Sequence, residues 1–144
     1  MRVEFVHRLP ATPDKVYAAL MNPEIVRRCI KDCESLTPLG TDTYEAKVRV
    51  GFGSIKGKVQ LTSSKPGESM TLTLVGKGLP GSVNATLSVQ LIGQGQETEV
   101  RGEGDVSVGG LAAALGPKMI ESGAKTAVAD FYARLAAQLT SSGI

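Results

Sequence analysis

At 144 residues, 42% hydrophobic and 21% charged, the chain has the size and balance of one ordinary domain, so a single domain over residues 1–144 is expected. Sixteen basic residues against fourteen acidic ones leave a formal charge of +2, which argues against nucleic acid and demands no polyanionic partner. Collagen-like, disordered and disulfide-framework classes are excluded by the same composition.

The cysteines are Cys29 and Cys33, a spacing that matches neither the redox pair with two intervening residues nor half of a four-ligand zinc site. Placed one turn apart on a helix end they could touch, but two half-buried thiols in a reduced, cytoplasmic chain are the preferred reading. Met1 to Arg8 alternates charged and apolar residues, unlike a signal peptide. Apolar runs such as Leu111 to Leu115 are far short of the ~20 residues a membrane-spanning helix requires.

In chain order, Val3, Phe5, His7 and Leu9 alternate with Arg2, Glu4 and Arg8, the pattern of a half-buried strand. Thr12–Pro13 and Asn22–Pro23 each pair a capping residue with proline at the first helical position, predicting two short helices, the second over Pro23 to Cys29. From about residue 43 the period is two. Tyr44, Ala46, Val48 and Val50 share one face, followed by Ile55, Gly57, Val59 and Leu61. Pro66–Gly67 suits the centre of a type II turn, and Pro80–Gly81 is read the same way. Between those turns lies the inward row Met70, Leu72, Leu74, Gly76 and Gly78. Val83, Ala85, Leu87, Val89 and Leu91 form the next row, and Gly93 to Gln96 turns the chain into Thr98, Val100, Gly102, Gly104 and Val106. After Gly109 and Gly110, with a kink at Gly116 and Pro117, the remainder reads as one helix to about Leu139. Its apolar stripe is Ile120, Ala124, Ala127, Val128, Phe131, Leu135 and Leu139.

An antiparallel meander with one apolar face must cover it, and only the last helix is long enough, so an α+β fold with a sheet curled around that helix is expected. The inward glycines serve first to bend the sheet and secondarily to leave volume for a guest. With six aromatic residues and no tryptophan, the inner surface has few large side chains to fill a wide grip, which points to an internal cavity. Nearly every ionisable strand residue falls on the outward phase. Glu97, Glu99, Glu103 and Asp105 form a solvated strip interrupted by Arg101 rather than a metal or acid–base cluster. Inside, the polar handles are His7, Tyr44, Thr98 and Tyr17, with neither paired carboxylates nor a nucleophile and its base. His7, the sole histidine, is read first as a satisfied core residue and second as a general base or a hydrogen-bond partner for a guest carbonyl. Gly51 to Gly53 and Gly76 to Gly78 are hairpin corners rather than phosphate cradles. Arg27, Arg28 and Lys31 form a solvated helix face.

This order of elements resembles the helix-grip fold of START lipid-transfer domains, pollen-allergen proteins and polyketide cyclases: a curved antiparallel sheet of six or seven strands around a long C-terminal helix, with two short helices after strand one. The stretches ATPDKVYAALMNPEIVRRCI (11–30), VRVGFGSIKGKVQL (48–61) and GLAAALGPKMIESGAK (110–125) are similar to the CoxG family, the G subunit of carbon monoxide dehydrogenase. Two positions depart from its pattern: Tyr17 stands where members usually carry tryptophan, and Lys31 and Asp32 stand where proline and glycine usually follow Cys29 and Ile30.

The resemblance implies an accessory protein to a molybdenum-containing dehydrogenase, with no catalytic residues, cofactor or metal of its own. It implies an apolar cavity, which by strand phase would be rimmed by Ile30, Phe52, Leu79, Leu115, Met119 and Ile120 and lined by Leu72, Leu74, Leu87 and Gly104. The expected guest is a quinone or lipid. Peripheral membrane contact is expected without a span, and because the longer members' tail is absent, no direct anchor is. Two rivals stand beside this binding module: a cyclase- or dehydratase-like enzyme with His7 as base and Tyr44 as donor, and a protein-interaction module with a filled core that docks through Arg27 and Arg28.

Overall fold

A computed structural model describes residues 1–50 and 53–141. Strand β1 (Arg2–Leu9) buries Val3 and Leu9, half-buries Phe5 and His7, and exposes the residues between them, as alternation requires. Helices α1 (Pro13–Leu20) and α2 (Pro23–Cys29) follow, each with proline in its first turn. The Asn22 side chain caps α2 by accepting from the N–H groups of Glu24 (3.0 Å) and Ile25 (3.5 Å). Thr12 takes the extended cap conformation at α1 without a side-chain bond.

The meander is β2 (Cys33–Gly40), β3 (Thr43–Val50), β4 (Gly53–Lys65), β5 (Ser69–Gly78), β6 (Gly81–Gln94) and β7 (Glu97–Gly109). All pairings are antiparallel, in the order β1-β7-β6-β5-β4-β3-β2, so the first strand closes one side of a seven-stranded curved sheet. A 3₁₀ segment (Gly110–Leu115) leads to α3 (Pro117–Ser141). The expected helix-grip architecture is present.

Four local readings are revised. The segment Cys33–Gly40, which the hydrophobic period does not mark, is an edge strand, and Cys33 therefore lies on β2 rather than on a helix end. The β5–β6 turn has Leu79 and Pro80 at its centre, because Gly78 pairs with Gly81. Gly81 belongs to β6 at φ 143°, a conformation that glycine alone adopts without strain. The expected kink before α3 is a break: Gly116 at φ 86° separates the 3₁₀ segment from the helix. The Pro66–Gly67 turn stands, with Gly67 at φ 73° and the Glu68 N–H donating to the Lys65 carbonyl at 2.9 Å.

Burial is uneven along the grip. The core gathers Leu9, Ala11, Val16, Ala19, Cys29, Met70, Val89, Leu91, Val100, Tyr132, Leu135 and Leu139, where the end of β1, both short helices and the second half of α3 meet. Thr98, fully buried there, donates to the Ala11 carbonyl at 2.7 Å, which ties β7 to the link before α1. Helix α3 packs chiefly on β1 and α2, and its first half from Lys118 to Ala127 is exposed apart from Ile120 and Ala124. Truncating each half tests this asymmetry. Leu135→Ala is expected to cost about 2–5 kcal/mol in urea unfolding, whereas Met119→Ala should stay within about 0.5 kcal/mol of the parent.

Candidate functional site

Away from the core the concave face is apolar but incompletely covered. Val48, Ile55, Val59, Leu72, Leu74, Val83 and Leu87 all point inward and are half-buried. Register places Leu72 opposite Leu87, Leu74 opposite Ala85 and Val59 opposite Leu74, so these side chains form a continuous surface across β4, β5 and β6. The inward glycines shape that surface. A Cβ at Gly57 would meet the Val75 carbonyl oxygen at 2.8 Å, and one at Gly76 would meet Ile55 at 2.9 Å. At Gly102 it would strike the Phe5 ring. Gly104, expected to line the interior, is buried, and its Cβ would strike the Thr86 carbonyl and approach Leu87 Cδ2 at 2.6 Å. These positions are glycine because strands and rings approach closely.

Of the expected rim residues, Leu79 lies where the 3₁₀ segment meets the sheet. The N–H of Ala112 donates to the Pro80 carbonyl at 2.9 Å, and Gly53 lies against Leu79 and Pro80, which brings the 3₁₀ segment and two hairpin turns together. Leu79 is 65% exposed there, Leu115 59% and Met119 61%, with Val50 and Leu111 also exposed. Ile120 is half-buried. Ile30, also half-buried, caps α2 beside the end of β3, where the Arg49 N–H donates to the Asp32 carbonyl at 2.9 Å. Phe52 lies outside the described residues.

Where core gives way to open face there is an aromatic layer. The His7 ring stacks on Tyr132 at 5.1 Å and 20°, and Phe5 packs against both at 5.9 and 5.6 Å. Phe131 meets Tyr132 edge-on at 5.1 Å. Tyr132 is absent from the expected helix stripe, whose member Ala127 is exposed. The signal was present, since Val128, Tyr132, Leu135 and Leu139 repeat at spacings of four, three and four. Burial pushes the Tyr132 phenol well above its ordinary pKa, so its hydroxyl stays protonated. Of the other expected handles, Tyr17 packs against the core, Tyr44 is half-buried on β3, and Thr98 is satisfied by Ala11. Cys29 is buried and Cys33 half-buried, and burial raises the pKa of both free thiols.

The convex face carries the charge. Arg2 bridges Glu103 (2.9 Å) and Asp105 (3.5 Å), Arg8 reaches Glu97 (3.7 Å), and Arg101 pairs with Glu99 (2.7 Å). The acidic row is thus a neutralised surface strip. On α2, Arg27 and Arg28 both pair with Glu24, whose carboxyl Arg27 holds below its usual pKa. Among the described residues no group of His, Cys, Asp or Glu is placed to hold a metal ion. No described helix is long and apolar enough to cross a membrane. Two shallow hollows of about 380 Å³ lie on the sheet, one around Gly57 and Gly76 with Lys56, Lys58 and Lys77, the other along Thr73, Asn84 and Asp105.

The family model of the carbon monoxide dehydrogenase G subunit (CoxG) matches residues 7–140. The chain belongs to this family. The CoxG match runs from β1 through the sheet and into the last turns of α3. Among solved structures, a conserved protein from Geobacillus kaustophilus superposes with a TM-score of 0.95 at 29% identity, over 99% of this chain and 97% of the other. A START superfamily protein from Mycobacterium smegmatis gives 0.82 at 11% identity, with 97% of each chain covered. A protein from Thermus thermophilus gives 0.81 at 12% identity, with 100% of each covered. The latter two show the helix-grip fold that this CoxG-family chain shares with them. No curated protein matches it.

The close approach at Gly104 sets its expected role apart from simple lining. Gly104→Ala should lower unfolding stability by about 1–3 kcal/mol in a denaturant titration, because the new methyl meets backbone that cannot rotate away.

Proposed function

We propose that the chain is a non-enzymatic binding module that takes an apolar small molecule, a quinone or a lipid, into the cleft between the concave face and α3. It would serve as an accessory to a carbon monoxide dehydrogenase-type enzyme. The observation that carries the reading is the half-buried row Val59, Leu72, Leu74 and Leu87 facing a helix whose first half stands clear of it. Apolar area left partly in water is the substrate of the hydrophobic effect, and a guest that covers it gains roughly 25 cal/mol per Å² removed from water. A filled core would bury these residues as completely as it does Leu135 and Val100. The family supports the accessory role and the START-like fold supports an apolar guest.

In this reading Ile30, Phe52, Leu79, Leu115, Met119 and Ile120 rim the entrance, and Leu72, Leu74, Leu87 and Gly104 form the wall. The exposed Leu79, Leu111, Leu115 and Met119, with Lys77 and Lys118 beside them in sequence, suit peripheral contact with a lipid surface. The module would act in the cytoplasm and needs no cofactor of its own. The enzyme rival is weakened by the surroundings of His7, whose ring neighbours are Phe5 and Tyr132 rather than Tyr44.

Native mass spectrometry of the protein purified from a bacterial host, followed by organic extraction, tests the proposal. A stoichiometric apolar adduct is expected, and Leu74→Gln should lose it while the circular dichroism spectrum is unchanged. A clean apo mass together with no thermal shift on adding quinones or lipids would overturn it.

A further inference from the structure

Tyr132 is 7% exposed, yet its hydroxyl forms no hydrogen bond among the described residues. That hydroxyl is not a sealed, unsatisfied group either, because no side-chain oxygen or nitrogen of that kind occurs among the described residues. The oxygen of a buried tyrosine therefore opens onto accessible space. His7 is stacked against the same ring and likewise makes no hydrogen bond or ion pair among the described residues. Elsewhere in the core the opposite rule holds: Thr98, the buried polar residue of β7, is bonded to Ala11. Two adjacent polar groups thus lack a protein partner among the described residues, and they pack on Phe5, whose row across the sheet through Gly102, Val89 and Met70 neighbours the row of Gly104, Leu87 and Leu72.

From this we infer that Tyr132 and His7 form the polar end of the binding cleft, and that the guest is an apolar molecule carrying a hydrogen-bonding oxygen, a carbonyl or hydroxyl, which seats against this pair. The inference rests on the binding-module reading and names the chemistry of what is bound. A tyrosine hydroxyl donates to a carbonyl oxygen and accepts from a hydroxyl, and the imidazole offers one donor and one acceptor when neutral. Because burial keeps the phenol protonated, the donor is available throughout the neutral range. The flat stack of His7 on Tyr132, flanked by Phe5, also presents ring surface to a planar head. A pure hydrocarbon would cover the apolar wall but leave both groups dry and unpaired, so the site discriminates against it.

The test compares two probes of matched shape, 2,3-dimethyl-1,4-naphthoquinone and 2,3-dimethylnaphthalene, by fluorescence competition or calorimetry on the intact chain. Methyl groups at both ring positions block addition of Cys29 or Cys33 to the quinone. The wild-type protein is expected to prefer the quinone by about five- to tenfold, the scale of one or two hydrogen bonds. Tyr132→Phe and His7→Phe, which keep the ring packing, should each erase most of that preference while leaving hydrocarbon affinity within about twofold. Equal binding of both probes, or a preference unchanged in both variants, would overturn the inference and leave the binding module standing. Failure of the wild-type protein to bind either probe would also overturn the inference, while the adduct and thermal-shift test with lipids decides the binding module separately.

Discussion

A helix is narrow and a seven-stranded sheet is wide, and much of this molecule follows from that mismatch. Seven strands at their usual spacing span roughly 29 Å from edge to edge, whereas a helix with its side chains is roughly 10–12 Å across. Curling the sheet lets one helix serve several strands, and the tight approaches at Gly57, Gly76 and Gly104 are the local cost of that curl. Cover is still incomplete. α1 and α2 supplement α3 at one end, where Val16, Ala19 and Cys29 join Leu135 and Leu139 in the core. At the other end no second layer of helices exists among the described residues, and the inner face stays half in water.

The division of α3 follows the same logic. Its second half carries Tyr132, Leu135 and Leu139 and is held by β1 and α2; its first half carries Lys118, Glu121 and Lys125 and faces solvent on most sides. One element is thereby packed along one half and exposed along the other. The aromatic layer of Phe5, His7 and Tyr132 lies on the second half of the helix, where Tyr132 joins the core and His7 stacks on its ring.

Most of the fold was legible in the amino-acid pattern because one-sided burial imposes a period of two on strands, and β1 and β3 through β7 all carry it. The helix starts at Pro13 and Pro23 were equally legible, since proline there combines with a capping residue. Strand β2 was not. It lies at the sheet edge with Thr37 to Gly40 exposed, so neither face is buried enough to enforce alternation. The β5–β6 turn was misplaced by one residue because Pro–Gly chemistry outweighed the pairing of Gly78 with Gly81, which only the register reveals. On the sheet, strand phase placed Leu72, Leu74 and Leu87 on the inner face, but Tyr132 escaped notice because Phe131 beside it fits the same helical stripe and is the more apolar of the two. The exposure of Leu79, Leu115 and Met119 depends on how the 3₁₀ segment and α3 sit against the sheet, which no local pattern encodes.

The irregular edge at β2 has one more effect. Its pairing with β3 shifts register twice, between Cys33 and Ser35 and between Pro38 and Gly40, and Pro38 lacks an N–H to offer. An open sheet must end somewhere, and a straight, unbroken margin would template the addition of a foreign strand. Here the margin is kinked and missing a donor near its end, so an incoming chain finds no long run of evenly spaced partners. A protein that keeps apolar surface accessible on its concave side is thereby guarded against self-assembly along this border.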